Sequence, residues 1–169
     1  MPKKCSRVQG RPDPVIGPMS PEDLAAVVEL DRDNATFWSR VQFEGELGQE
    51  SGFQYVARLP VRRTVVALIC GRQTGDEAEI LKLTVDRAFR RRGIGSSLLD
   101  YAQTRMEQSG VCHCYLEMRA SNVPARKLYE KKGFVEIGTR KDYYGAPQED
   151  AVLMKKTFGP EDTNQETRE

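Results

Sequence analysis

The chain has 169 residues, 38% of them hydrophobic and 30% charged, which suits one domain with an ordinary core. Its longest apolar run, residues 65–70, is far short of the about 20 residues a membrane-spanning helix needs, so no membrane partner is expected. Twenty-six basic and 25 acidic residues leave a net charge of +1, which argues against a dedicated nucleic-acid coat.

Charge is concentrated at the ends. Lys3, Lys4, Arg7 and Arg11 stand without an acid in residues 1–12. Glu161, Asp162, Glu166 and Glu169 face only Arg168 in residues 159–169. Residues 1–14 and 159–169 therefore read as disordered basic and acidic tails around a domain at 15–158. No apolar stretch follows the N-terminal basic residues, so they do not read as a secretory signal.

Within the domain, residues 15–19 read as a first strand. Ser20, Pro21 and Asp23 then open a helix to about Asp33 as N-cap, first helical residue and capping-box acid, with Leu24, Val27, Val28 and Leu30 as its apolar stripe. A second helix is expected over 36–47. Strands follow at 53–59, 64–70 and 78–85. A basic, glycine-containing turn leads into a helix carrying Ile94, Leu98, Leu99, Ala102 and Met106, which Gly110 ends. A strand over 111–118, a helix over 124–132 and strands over 135–141 and 151–158 complete the chain. Tyr143, Tyr144, Gly145 and Pro147 fall in the last connection. The order β-α-α-β-β-β-α-β-α-β-β predicts a mixed sheet with helices on both faces.

Cysteines 5, 70, 112 and 114 and the single histidine, His113, lack the spacing of a zinc site, so no metal is expected. One histidine also disfavours Ser-His-Asp and Cys-His catalysis. Cys112 and Cys114 alternate away from Glu117 along their strand, against a thiol intermediate.

The most informative stretch is the turn Arg90-Arg91-Arg92-Gly93-Ile94-Gly95-Ser96 between a strand and an amphipathic helix. Glycines let a backbone approach a ligand closely, and a helix N-terminus offers unpaired N–H groups, which together suit a pyrophosphate. A P-loop is excluded because no Gly-Lys-Ser/Thr occurs, and a Rossmann fingerprint because Leu98 stands where a third glycine belongs. Taken alone, the turn also fits a solvated basic loop.

Arg-x-x-Gly-x-Gly after a strand resembles the acetyl-coenzyme A motif of the GNAT N-acetyltransferases. The block from Tyr115 to Asn122, with Ala125, Leu128-Tyr129-Glu130 and Gly133-Phe134, resembles that family's second motif. Lys141-Asp142-Tyr143-Tyr144 and residues 149–154 resemble the C-terminal block of its RimI-like branch, the ribosomal-protein-alanine N-acetyltransferases. Phe37-Trp38-Ser39 resembles their acceptor-side loop but lacks its usual proline.

The resemblance implies an α+β fold of three-layer type, with a mixed, mostly antiparallel twisted sheet flanked by helices on both faces. It implies acetyl-CoA as cosubstrate. Leu83, Thr84 and Val85 would line up with its pantetheine arm and Asn122 would contact that arm. Arg91, Arg92, Gly93, Ile94, Gly95 and Ser96 would hold the pyrophosphate. Glu117 matches the general base and Tyr129 the general acid. A backbone N–H near Val85, where the family's strand bulges, would meet the oxyanion. Phe37, Trp38, Tyr143 and Tyr144 are candidate walls for the acceptor, expected to be a protein N-terminal amine, with the alanine terminus of ribosomal protein S18 as the family's case. The enzyme would act in the cytoplasm as a monomer or weak homodimer. Acetylation of a lysine or small amine, a non-catalytic coenzyme A sensor and, last, a nucleic-acid module remain the alternatives.

Overall fold

A computed structural model describes residues 13–159; the tail expectations fall almost wholly outside them. Seven strands form one sheet in the order β1-β2-β3-β4-β5-β7-β6. They are β1 (Val15–Pro18), β2 (Gly52–Arg58), β3 (Val65–Thr74), β4 (Glu77–Val85), β5 (His113–Arg119), β6 (Val135–Gly145) and β7 (Gln148–Thr157). The helices are α1 (Leu24–Asp31), α2 (Arg40–Leu47), α3 (Ile94–Gln108) and α4 (Val123–Lys131). Every neighbouring pair is antiparallel except β4 and β5.

The apolar run 65–70 becomes the first part of the interior strand β3, and all six of its residues are buried, as expected where a strand is covered on both faces. Leu68 and Cys70 pack with Leu24 and Val27 of α1 and Phe43 of α2. Ala67 and Ile69 pack with Leu98, Leu99 and Ala102 of α3. Two apolar clusters on opposite faces of one sheet make the expected three-layer α+β arrangement. In β5, Cys114, Leu116 and Met118 are buried, while His113, Tyr115, Glu117 and Arg119 point to the opposite face.

Several boundaries differ from the sequence reading. The first helix starts as a 3-10 turn at Pro21–Asp23, where the Asp23 carboxylate accepts from the Ser20 amide at 2.7 Å, and it stops at Asp31. The helix expected over 36–47 forms only from Arg40. Ser39 caps it, exchanging hydrogen bonds with Gln42, and leaves residues 34–38 as a loop. Pairing with β7 carries β6 to Gly145, so Tyr143 and Tyr144 lie on a strand rather than in an open connection.

Two irregularities place the site. The parallel ladder of β4 and β5 covers only Glu77–Ile80 against His113–Leu116. Beyond it β4 stays with β3 and β5 stays with β7, so residues 81–85 and 117–119 diverge. On β4, Ile80 and Lys82 oppose the consecutive residues Gly71 and Cys70. Leu81 is therefore the bulged residue, and the bulge lies four positions before Val85, not beside it. A bulge bends its strand and increases its twist, which turns β4 away from β5 at the point where the ladder ends.

Candidate active site

The divergence opens a cleft of about 440 Å³ between β4 and β5, lined by Leu83, Thr84, Glu117, Asn122 and Tyr129 among others. A second cavity of about 620 Å³ shares Leu83, Thr84, Asn122 and Tyr129 with it and continues to Arg91, Gly93, Gly95 and Ser96. The Asp86 amide donates to Val66 O at 2.9 Å. Alternation in an antiparallel ladder then turns the amides of Thr84 and Lys82 toward β3, and those of Leu83 and Val85 toward the cleft. An extended ligand lying in the cleft can pair with this backbone as a strand would. The Val85 carbonyl is already taken by Arg90 Nε at 2.9 Å.

The cradle beyond it is built from local backbone geometry. Asp86 caps the turn at Arg87–Phe89 by accepting from the Ala88 amide at 2.8 Å. Arg91 and Gly93 then take left-handed φ values of 62° and 79°. No side chain caps α3, and its first intrahelical bond runs from the Ser97 amide to Gly93 O. The amides of Ile94, Gly95 and Ser96 are left for an anion, aided by the helix dipole. Gly95 sits close to β4: a Cβ there would stand 3.2 Å from Val85 Cγ2, so that side chain would have to give by a few tenths of an ångström. Arg92 does not line the cavity; its guanidinium lies 5.2 Å from the Phe89 ring centroid.

Glu117 and Tyr129 reach the cleft from different elements. Glu117 stands just past the last residue of β5 that pairs with β4, on the face opposite Cys114 and Leu116. Arg140 Nη2 approaches its Oε1 to 3.2 Å, leaving the side chain 21% exposed. Its carboxylate also pushes the Tyr143 phenol above the ordinary tyrosine range by hydrogen bonding, so that hydroxyl stays protonated beside it. Tyr129 comes from α4 on the other face, its ring edge-on to Phe134 at 5.5 Å. Burial, then the nearby Cys114, raises its phenol well above 10. A phenol so raised serves as a hydrogen-bond donor, not as a source of free protons.

Of the residues expected to wall the acceptor, Trp38, Tyr143 and Tyr144 line the cleft. Phe37 is 61% exposed and lies outside it. The helix boundary explains this difference: Phe37 sits in the loop before α2, its amide bonded to Asn34 O at 3.1 Å. Arg119 carries Tyr144 on its guanidinium face at 4.3 Å and donates to the Ala146 and Pro147 carbonyls, fixing the β6–β7 hairpin to the end of β5. Asn122 caps α4 through the Ala125 amide at 3.3 Å and still lines both cavities. Burial pushes the Cys70 and Cys114 thiols up to about 12, which removes both as nucleophiles near neutral pH.

The sequence reading missed a buried network beside this wall. Asp31 is fully buried and pairs with Lys82 Nζ at 2.7 Å. The signal was present in two periodicities. Positions 24, 27 and 31 form one helical face, which places an acid on a buried stripe. Lys82 and Thr84, two apart on β4, share a face and are both buried, although the Leu81 bulge sets that face opposite Ala78 and Ile80.

With this geometry in place, comparison with known proteins assigns the family. The acetyltransferase (GNAT) family description matches residues 22–134. The ribosomal protein bS18-alanine N-acetyltransferase of Salmonella typhimurium strain LT2 is 36% identical over 143 residues, 82% of this chain and 94% of that protein. The crystal structure of the Escherichia coli ribosomal-protein-S18-alanine N-acetyltransferase superposes with a TM-score of 0.79 at 28% identity, covering 88% of this chain and 97% of that one. A streptothricin acetyltransferase homologue from Bacillus anthracis strain Ames, solved with acetyl coenzyme A, gives a TM-score of 0.61 at 26% identity over 69% of this chain and 68% of its own. The chain belongs to the GNAT acetyltransferase family and is an N-acetyltransferase.

Proposed function

We propose that this protein transfers the acetyl group of acetyl-CoA directly to the N-terminal α-amine of a protein, with the N-terminal alanine of a ribosomal S18 protein as its acceptor. The observation that carries the reading is the meeting of Glu117 and Tyr129 in one cleft, from opposite faces of the sheet, continuous with an anion cradle. The names of relatives that cover most of the chain support the acceptor. Acetyl-CoA fits the donor side because the two cavities run on from cradle to cleft through Leu83 and Asn122. A ribosomal acceptor would place the reaction in the cytoplasm. The working unit in this reading is a monomer or weak homodimer.

The cosubstrate supplies an activated thioester; the protein supplies position and proton handling. The first-turn amides of α3 and Arg91 hold the pyrophosphate. The Leu83 and Val85 amides face the cleft, where one can align the pantetheine arm and one can meet the oxyanion. As the amine nitrogen bonds to the thioester carbon, Glu117 takes its proton directly or through a water. When the C–S bond breaks, the Tyr129 hydroxyl hydrogen-bonds the departing sulfur. Trp38, Tyr143 and Tyr144 confine the first residues of the acceptor.

The test measures coenzyme A release with three acceptors: a six-residue peptide beginning Ala-Arg, its N-terminally blocked lysine-containing counterpart, and spermidine. The expected result is turnover with the free-N-terminus peptide alone. Turnover only with the lysine peptide or spermidine would overturn the N-terminal reading and assign a side-chain or small-amine acceptor. Tight acetyl-CoA binding without turnover on any acceptor, intact S18 included, would point to a coenzyme sensor.

A further inference from the structure

The buried Asp31–Lys82 pair takes no part in the proton handling proposed above, yet it stands directly behind the acceptor wall. Each carboxylate oxygen of Asp31 accepts two hydrogen bonds. Oδ1 accepts from Asn34 Nδ2 at 2.6 Å and Thr84 Oγ1 at 3.0 Å. Oδ2 accepts from Lys82 Nζ and from the Trp38 amide, both at 2.7 Å. Lys82 Nζ also donates to Thr36 O at 2.7 Å and lies 5.0 Å from the centroid of the Trp38 ring. Three partners, Asn34, Thr36 and Trp38, thus belong to the loop between α1 and α2. Lys82 and Thr84 belong to β4 and flank Leu83, the residue whose amide faces the cleft.

Fold stability is a poor explanation for this pair. Desolvating two charges offsets most of their attraction, and apolar side chains of similar size serve a core equally well or better. An apolar pair could not hold the Trp38 amide, the Thr36 carbonyl and the Asn34 side chain, however. These groups set how far the Trp38 wall stands from the β4 backbone. The cradle is held separately, by Asp86 on Ala88 and Arg90 on Val85.

We propose that Asp31 and Lys82 are positioning residues for the acceptor: their pair clamps residues 34–38 to β4 and sets acceptor affinity while leaving the coenzyme cradle unchanged. The inference rests on the acetyl-transfer reading of the cleft. The clamp predicts a KM effect confined to one substrate.

The decisive variant is the double replacement Asp31→Leu with Lys82→Met, which removes both charges at similar volume and avoids leaving one ion buried alone. Lys82→Arg, which keeps a cation against Asp31, serves as the conservative control. Trp38 is the single tryptophan of the chain, so acrylamide quenching of its fluorescence reports the loop independently of activity. The double variant should keep its circular dichroism and hold its acetyl-CoA Kd within about threefold, while its acceptor KM rises about tenfold or more. Trp38 quenching should increase in parallel, and Lys82→Arg should recover most of both effects. A folded double variant with unchanged acceptor KM and unchanged quenching would overturn the clamp. So would equal losses of acetyl-CoA and acceptor affinity. Should the wild-type protein acetylate no acceptor, the transfer reading fails by itself, and unchanged quenching in the double variant would overturn the clamp independently.

Discussion

Replacing Glu117 by glutamine separates two things a base can do. Glutamine keeps the length of the side chain and can still hydrogen-bond the neighbouring Tyr143 and Arg140 groups, so the cleft retains its shape. It cannot accept the amine's proton. With an α-amine pKa of about 8, roughly 10% of the acceptor is already neutral at pH 7 and roughly 90% at pH 9. About one order of magnitude of the deficit is therefore recoverable from bulk water as pH rises. The rest is proton transfer during C–N bond formation, for which a positioned base contributes about 10²–10⁴-fold. Glu117→Gln should thus lower kcat/KM by about 10³–10⁵-fold at pH 7, and the deficit should shrink about tenfold by pH 9 without vanishing. A lysine acceptor, with roughly 0.04% neutral at pH 7, would show recovery continuing well above pH 9. The assay is steady-state coenzyme A release with an alanine-terminated peptide across this range. A variant within about threefold of wild type at pH 7, or a deficit that does not change with pH, would refute the assignment of Glu117 as proton acceptor.

Three further predictions follow from single groups. Tyr129→Phe keeps the ring against Phe134 and should lower kcat about 10–100-fold with acetyl-CoA affinity unchanged; because burial raises the phenol, the wild-type rate should not fall through Tyr129 ionisation below pH 10. Gly93→Ala meets nothing within 4 Å but forces an L-residue to the φ of 79°, a strain of about 1–2 kcal/mol, so calorimetry should find acetyl-CoA binding roughly tenfold weaker. An unchanged Kd would show that the turn contributes no amides to the cosubstrate. Phe43→Ala empties a site with 0% exposure behind Trp38 and should cost about 3–5 kcal/mol in urea unfolding, whereas a loss below about 1 kcal/mol would mean that α2 does not share the core.

What the sequence made legible were features carried by short periodicities. Glu117 could be set opposite Cys114 and Leu116 because a strand alternates strictly. The α3 stripe and the Ser20–Asp23 start were readable because their partners lie within a turn or two. Features that depend on a distant strand were not legible. Nothing in residues 77–85 says that pairing with β5 ends at Ile80, nor that the bulge falls at Leu81 and not near Val85. Phe37, Val41 and Phe43 read as apolar residues of one helix, but Ser39 and Gln42 form a cap after Phe37 and leave it in solvent. Tyr143 and Tyr144 looked like loop residues beside Gly145 and Pro147, while pairing with β7 carries the strand through them. The Asp31–Lys82 contact spans 51 positions, and its two halves can be matched only once α1 is packed on the sheet.

The same sheet geometry explains why the site lies where it does. β4 and β5 are the only parallel neighbours among the described strands, so the chain must cross over between them, which it does through α3, and β5 is followed in turn by α4. The first of these helices, α3, begins beside the carboxyl end of β4, and α4 begins beside that of β5. Both N-termini therefore face the end at which the two strands part. Crevices outside the carboxyl ends of parallel strands are where open sheets bind ligands, because helix dipoles and unpaired amides converge there. In this chain the crevice is deepened by the Leu81 bulge, and the strands' own backbone becomes part of the binding surface. The charged cradle is then a consequence of one helix start. Glu117 is the first residue of β5 beyond the segment paired with β4, and Tyr129 comes from the helix that β5 leads into. Glu117, Tyr129 and the cradle are brought together by one broken ladder, so restoring the pairing beyond Ile80 would close the cleft even with every side chain unchanged.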